Sequence, residues 1–261
     1  MKSFQFYDAK DIKEATKLSG SDSRYLSGGM TLVPSLKQRL ATPKRIIGIK
    51  KIKKLNGIKV SKKSVIIGAT TTHKEVEFSK EIEKAIPALN VLAGGIGDAQ
   101  VRNCGTIGGS IANNDPSADY PSACIALNAT IHTNNRKISA DKFFTGMFET
   151  SLKKGELIEA IEFQIPEKSC YQKYPNPASR YAIVGVYVAK HKTGVNVAVT
   201  GAKSCVYNEK NISSALSKNF SSSSIDNIVV SSSGINSDIH ASAEYRANMV
   251  KVFAKKAVEA C

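Results

Sequence analysis

Several absences in this sequence close off whole classes of function. No CxxC pair occurs, and the five cysteines (Cys104, Cys124, Cys170, Cys205, Cys261) are odd in number and far apart, which argues against a disulfide framework and against a zinc or iron–sulfur site. The four histidines are scattered, so a histidine metal centre is not expected. No apolar run approaches the length of a membrane span, and Asp8 and Asp11 stand where a signal peptide would need an apolar stretch. These features predict a cytoplasmic protein. The common nucleotide and hydrolase signatures are missing too: no GxGxxG follows a strand, and GxxxxGK(S/T), HExxH and GxSxG do not occur.

Acidic residues are also few, 22 against 37 lysines and arginines, leaving a net charge of +15. Such a charge suits nucleic acid, an acidic partner or a lysine-rich bias. Lysines far outnumber arginines and are scattered from Lys2 to Lys256, whereas nucleic-acid readers cluster arginine with exposed aromatics. Only residues 50–63 are densely basic, and a solvated face, or a docking surface within a complex, fits them better than a polyanion site.

What remains is a chain of 261 residues with 42% hydrophobic content, enough for two domains with sizeable cores. Its centre is residues 93–123, AGGIGDAQVRNCGTIGGSIANNDPSADYPSA. There Thr106, Ile107, Gly108, Gly109 and Ser110 place two glycines between hydroxyl residues, so that backbone N–H groups can approach an anion where a Cβ would block them. A second such loop, Ser27, Gly28, Gly29, Met30 and Thr31, lies far upstream, and a ligand with two linked phosphates could be gripped by both. Asp119 reads either as a helix cap or as a carboxylate that accepts hydrogen bonds from sugar hydroxyls beside the phosphates. With no Rossmann pattern, the two loops suggest a dinucleotide held another way.

Around these loops the pattern reads as follows. Residues 4–26 form a compact βαβ unit with Asp8 or Asp11 capping residues 12–18, and Pro34 sits in the first turn of a helix over 35–40. Strands are expected at 45–49, 64–68, 130–133 and 157–165, and Thr72 with Glu75 forms a capping box. His73 is expected to be structural, and residues 143–148 an aromatic loop packed as core. Residues 168–177 read as a connector, 182–189 and 195–200 as a β-hairpin, 213–216 as a short helix, 221–224 and 231–233 as serine-rich loops, and 239–260 as one long amphipathic helix.

Four segments together resemble the FAD-binding medium subunit of the molybdenum hydroxylase (xanthine dehydrogenase) family, and within it the carbon monoxide-oxidising branch. They are SGGMTLVPSLKQRL, IGDAQVRNCGTIGGSIANNDPSADYP, NPASRYAIVGVYVA and DIHASAEYRANMVKV, and the likeness covers essentially the whole chain. The resemblance implies an α+β fold: a two-part FAD-binding domain of the vanillyl-alcohol-oxidase (PCMH) type over residues 1–166 (parts about 1–55 and 56–166), then a small C-terminal α+β domain over 167–261 with an antiparallel sheet and helices. It implies FAD as cofactor, with pyrophosphate contacts at Ser27, Gly28, Gly29, Met30 and Thr31 and at Thr106, Ile107, Gly108, Gly109 and Ser110. Met30 replaces a polar residue common in the family. By the same likeness Asp119 binds a ribityl or ribose hydroxyl, Ile96 packs near the cofactor, and Leu157 and Ile158 line the flavin. Lys173 lies near the flavin, and Tyr181 covers one of its faces.

The implied role is electron transfer. A large molybdopterin-binding subunit oxidises substrate and a small [2Fe-2S] subunit relays electrons to the FAD of this chain. An external electron acceptor, quinone or NAD, then takes them, in a dimer of heterotrimers in the cytoplasm or at the inner face of the membrane. No catalytic or metal-binding residue of its own and no nucleic-acid partner are implied. Nicotinate, purine, aldehyde and aromatic acyl-CoA hydroxylases share this plan. A stand-alone FAD oxidase and a basic polyanion-binding protein are the rival readings.

Overall fold

A computed structural model describes residues 1–261 as a mixed helix-and-sheet protein. The first sheet is parallel, in the order β1 (Gln5–Asp8), β3 (Arg45–Gly48), β2 (Ser23–Leu26). Helix α1 (Ile12–Leu18) joins β1 to β2, and Asp11 caps it by accepting from the Glu14 N–H at 2.8 Å. Helix α2 (Leu32–Lys37) leads from β2 toward β3. The two strands of the expected βαβ unit do not pair with each other. The apolar strand β3, with Ile46 and Ile47 buried, takes the central place between its more polar neighbours.

The second sheet is antiparallel: β4 (Ile58–Val60), β5 (Ser64–Gly68), β6 (Thr130–Thr133), β7 (Lys137–Ser139) and, after a small hairpin of β8 (Phe144–Gly146) and β9 (Glu149–Thr150), β10 (Ile158–Gln164), in the order β4-β5-β10-β6-β7. Val65 and Ile67 of β5, Ile131 of β6 and Ile161 and Phe163 of β10 send one alternating set of side chains into a core closed by helices. Those helices are α3 (His73–Glu77), α4 (Lys80–Ala85), α5 (Pro87–Gly94), α6 (Ala99–Cys104), α7 (Ile107–Asn113), α8 (Tyr120–Ala126) and the single turn α9 (Ala140–Phe143). The Thr72–Glu75 capping box forms at α3, and Pro87 opens α5, where a first-turn N–H has no helical partner to lose.

The third sheet is an antiparallel meander of β11 (Lys168–Pro175), β12 (Ala182–His191), β13 (Gly194–Thr200) and β14 (Tyr207–Asn208). Helices α10 (Lys210–Lys218) and α11 (Ala243–Glu259) pack on one face, over Val184, Val186 and Val188. The opposite face, with Tyr187 and Ala189, packs into the core of the second sheet. Burial on both faces explains why AIVGVYVA is a continuous apolar run.

Three local expectations change. Residues 168–175 are a strand paired with β12 along its whole length, because an edge strand needs few apolar residues: Tyr171 points to one core, Cys170 and Tyr174 to the other. Within the aromatic segment 143–148, Phe143 ends α9 and is core, while the rest turns into the β8–β9 hairpin with Met147 and Phe148 exposed. The last helix begins at Ala243, where Ser242 accepts from the Tyr245 N–H, and Asp238 holds residues 240 and 241 in a turn before it.

Candidate functional site

A cavity of about 600 Å³ is lined by residues from all three sheet units, a size suited to an organic ligand. The loop after β2 forms one wall. Its backbone N–H groups at residues 27–32 have no intramolecular partner, six consecutive donors in a segment that lines the cavity. Gly29 sits at φ +74°, a conformation that L side chains rarely adopt. Gly28 is required by packing: a Cβ there would lie 2.2 Å from the Cys104 carbonyl oxygen and 2.7 Å from Gly105 Cα. The Ser27 and Thr106 hydroxyls meet at 2.9 Å, joining this loop to the second one. Thr31 lines the wall, and Met30 lies half-exposed at its edge.

The second loop works differently from the expectation. Thr106 caps α7, its Oγ1 accepting from the Gly109 N–H at 3.2 Å, while the Gly108 N–H donates to the Ala69 carbonyl at 2.9 Å and the Ile107 N–H to that of Thr71 at 3.1 Å. The Ser110 N–H goes to the Thr106 carbonyl. These donors are spent within the protein, so the two glycines supply clearance. A Cβ on Gly108 would come within 2.6 Å of Ala69, which makes that glycine a packing requirement, whereas one on Gly109 would approach only Thr106 Oγ1, at 2.9 Å. Thr106, Gly108, Gly109 and Ser110 line the cavity, and the Ile107 side chain is fully buried in the core.

Asp119 faces the same cavity and is 4% exposed. Its side chain makes no cap at α8. The carboxylate instead accepts from the Tyr171 hydroxyl at Oδ1 and from Lys173 Nζ at Oδ2, 3.2 Å away, in an ion pair whose shortest distance is 3.0 Å. Burial raises the Asp119 pKa, and the Lys173 cation and Tyr171 hydrogen bond oppose that shift. Lys173 also donates to the Gly95 carbonyl at 2.7 Å and the Arg180 carbonyl at 2.9 Å. It stands behind the wall, tying together two segments that line it. Ile96, Leu157 and Ile158 provide apolar wall, and Tyr181, 44% exposed, lies at the rim.

Sequence reasoning missed three contributors. Tyr171 fell in the supposed connector, because KSCYQKYP mixes polar and apolar residues on both faces and gives no clear alternation. Arg24 and Arg180, the cavity's cationic side chains, had no local signal. His73 lines the cavity but is buried against Tyr120, with ring centroids 5.4 Å apart, and its Nδ1 has no partner. Burial, with Arg102 adding to it, lowers its pKa to about 4, so it is neutral at pH 7.

The donor set fits a dinucleotide. Six free N–H groups with neighbouring hydroxyls suit phosphate oxygens, and the apolar segments suit planar rings. No cluster of His, Cys, Asp or Glu could hold a metal ion.

Known proteins fit this geometry. Residues 2–167 match the family described as the FAD binding domain in molybdopterin dehydrogenase. The glyceraldehyde dehydrogenase medium chain of Sulfolobus acidocaldarius is 35% identical, over 97% of this chain and 96% of that one. The carbon monoxide dehydrogenase medium chain of Hydrogenophaga pseudoflava is 31% identical, over 98% and 96%. Among solved structures, carbon monoxide dehydrogenase from Hydrogenophaga pseudoflava superposes with a TM-score of 0.90 at 30% identity, covering 99% of this chain and 97% of that one. The chain belongs to this family, as the FAD-binding component of an oxidoreductase of the molybdenum hydroxylase type.

Proposed function

We propose that this chain is the electron-transfer flavoprotein of a larger complex, with FAD in the cavity described above. The observation that carries the reading is the run of six unpartnered N–H groups at residues 27–32 lining the cavity of a family that binds FAD. Residues Ser27 to Thr31 bind the diphosphate through these donors, and Thr106 to Ser110 close over it with hydroxyls and side-chain-free surface. Asp119 accepts from a ribityl or ribose hydroxyl. Ile96, Leu157, Ile158 and Tyr181 pack on the flavin, keeping water from it. Lys173 acts through Asp119 and through the segments it ties. When bound, FAD supplies a ring that takes up and gives back electrons; the protein contributes binding, orientation and electrostatics.

In this reading residues 1–166 are the FAD-binding domain and 167–261 a second domain that completes the site. A small [2Fe-2S] subunit delivers the electrons and a large molybdopterin subunit oxidises substrate. A quinone or NAD carries the electrons away, and the heterotrimer pairs into a dimer in the cytoplasm or at the inner face of its membrane. No helix of this chain is long and apolar enough to cross one. Carbon monoxide oxidation is one substrate reading. The 35% identity to a glyceraldehyde dehydrogenase medium chain favours an aldehyde as the second. The test compares the complex before and after its flavin is stripped. The proposal expects substrate still to reduce the [2Fe-2S] clusters while reduction of the external acceptor stops. Unchanged acceptor reduction by the stripped complex would overturn it.

A further inference from the structure

Of the four histidines, His73 alone has a ring that makes no hydrogen bond within the protein. His132, His191 and His240 each bond through Nε2, to Glu162 at 2.9 Å, the Ala126 carbonyl at 2.9 Å and Asn176 at 3.4 Å. His73 lines the cavity although it is only 5% exposed, and its Nδ1 is sealed off without a partner. That leaves Nε2 as the ring atom able to serve a ligand. The backbone fixes where the ring sits: the His73 N–H donates to the Gly105 carbonyl at 3.0 Å, Thr72 bridges to Thr106, and the Ile107 N–H donates to the Thr71 carbonyl at 3.1 Å. Residues 71–73 are thereby zipped to the second glycine loop. A Cβ on Gly105 would lie 2.7 Å from His73 Nε2, and one on Gly28 would lie 2.7 Å from Gly105 Cα. Imidazole, Gly105 and Gly28 are thus in successive contact, and neither glycine puts a side chain between the ring and the segment whose six N–H groups are free.

We propose that His73 Nε2 donates a hydrogen bond to a diphosphate oxygen of the bound dinucleotide, an inference that rests on the reading of this cavity as the FAD site. A neutral imidazole donates from one nitrogen and accepts at the other, and phosphate oxygens only accept. The ring therefore carries its proton on Nε2 when the ligand is bound, and Nδ1 keeps its lone pair in the apolar packing against Tyr120. His73 adds one side-chain N–H to a wall whose other donors are backbone N–H groups and hydroxyls. Because residues 71–73 are already held by the second loop, the ring needs no rearrangement to meet the diphosphate.

The test strips the flavin from the complete complex, titrates FAD back at pH 7.5, and compares His73→Leu, which lacks the donor, with His73→Gln, whose amide can replace the Nε2 N–H. His73→Leu should bind FAD about tenfold more weakly, whereas His73→Gln should stay within about threefold of wild type. In the 31P spectrum of bound FAD, His73→Leu should displace a diphosphate resonance while the visible flavin spectrum stays unchanged. Both flavin-free variants should melt within about 4 °C of wild type, because the ring makes no hydrogen bond that either substitution breaks. Wild-type affinity in His73→Leu, equal loss of affinity in both variants, an unmoved 31P spectrum, or a larger drop in Tm in either variant would overturn the proposal. A wild-type complex that takes up no FAD would instead overturn the reading beneath it, and this inference with it.

Discussion

Gly108 and Gly109 are adjacent and chemically identical, yet they do different things. Gly108 gives its N–H to Ala69 and touches that residue so closely that any side chain must displace backbone; Gly109 faces open space beyond Thr106 Oγ1. Gly108→Val should therefore cost at least about 1–3 kcal/mol of folding stability, read by denaturant titration of the flavin-free chain. Gly109→Val, which has only the Thr106 cap oxygen to displace, should cost clearly less stability and weaken FAD binding at least about tenfold, read by flavin titration. Equal loss of stability in both variants would contradict the assignment. His73 offers a second residue-scale test. Its folded pKa of about 4 lies below the ordinary 6.5, so the unfolded chain binds more protons between these values and stability must fall as pH drops from 6.5 toward 4. The change is at most about 3 kcal/mol, and His73→Gln should remove that part of the acid-side slope in denaturation curves taken from pH 7.5 to pH 4. An unaltered slope would place the titration elsewhere.

At the scale of elements, β11 is where sequence reading and structure diverge most. Its residues, KSCYQKYP, have neither the apolar alternation of β10 nor the continuous run of β12, because an edge strand is specified by its neighbour's register more than by its own composition. Reading it as a connector hid Tyr171 and left Lys173 without a reason for its position. The elements with strong local signals were legible: the capping box at Thr72 and the hairpin of β12 and β13. The glycine loops were legible as places of close approach. Which of their N–H groups remain free was not, because this depends on Ala69 and Thr71, brought there by a different strand. The buried Asp119–Lys173 pair carries this scale's prediction. Lys173→Met leaves a buried carboxylate without its cation and frees the Gly95 and Arg180 carbonyls, at a cost of about 3 kcal/mol. Adding Asp119→Asn should recover part of the loss, giving a coupling of about 1 kcal/mol or more in a double-mutant cycle. Simple additivity would mean that the pair does not act as a unit.

For the whole molecule, the matched family segment ends at residue 167, but the partners of Asp119 lie at 171 and 173, and Tyr187, Ala189 and Ala198 fill the core of the second sheet. A fragment of residues 1–166 is therefore expected to expose apolar core and to aggregate or lose its flavin, as size-exclusion chromatography and flavin content would reveal. A soluble fragment with normal FAD affinity would contradict the view that the third sheet completes the site. The overall plan of glycine loops, antiparallel sheets and helical cover could be anticipated from the chain, whereas packing of one sheet on both sides depends on contacts hundreds of atoms away in sequence. The central claim is that this chain holds FAD in the cavity walled by residues 27–32 and 106–110. Its most direct test is the amount of flavin released when the chain, purified with its partner subunits, is denatured: the account predicts one FAD per chain, falling sharply in Gly109→Val, and a complete complex that releases none would contradict it.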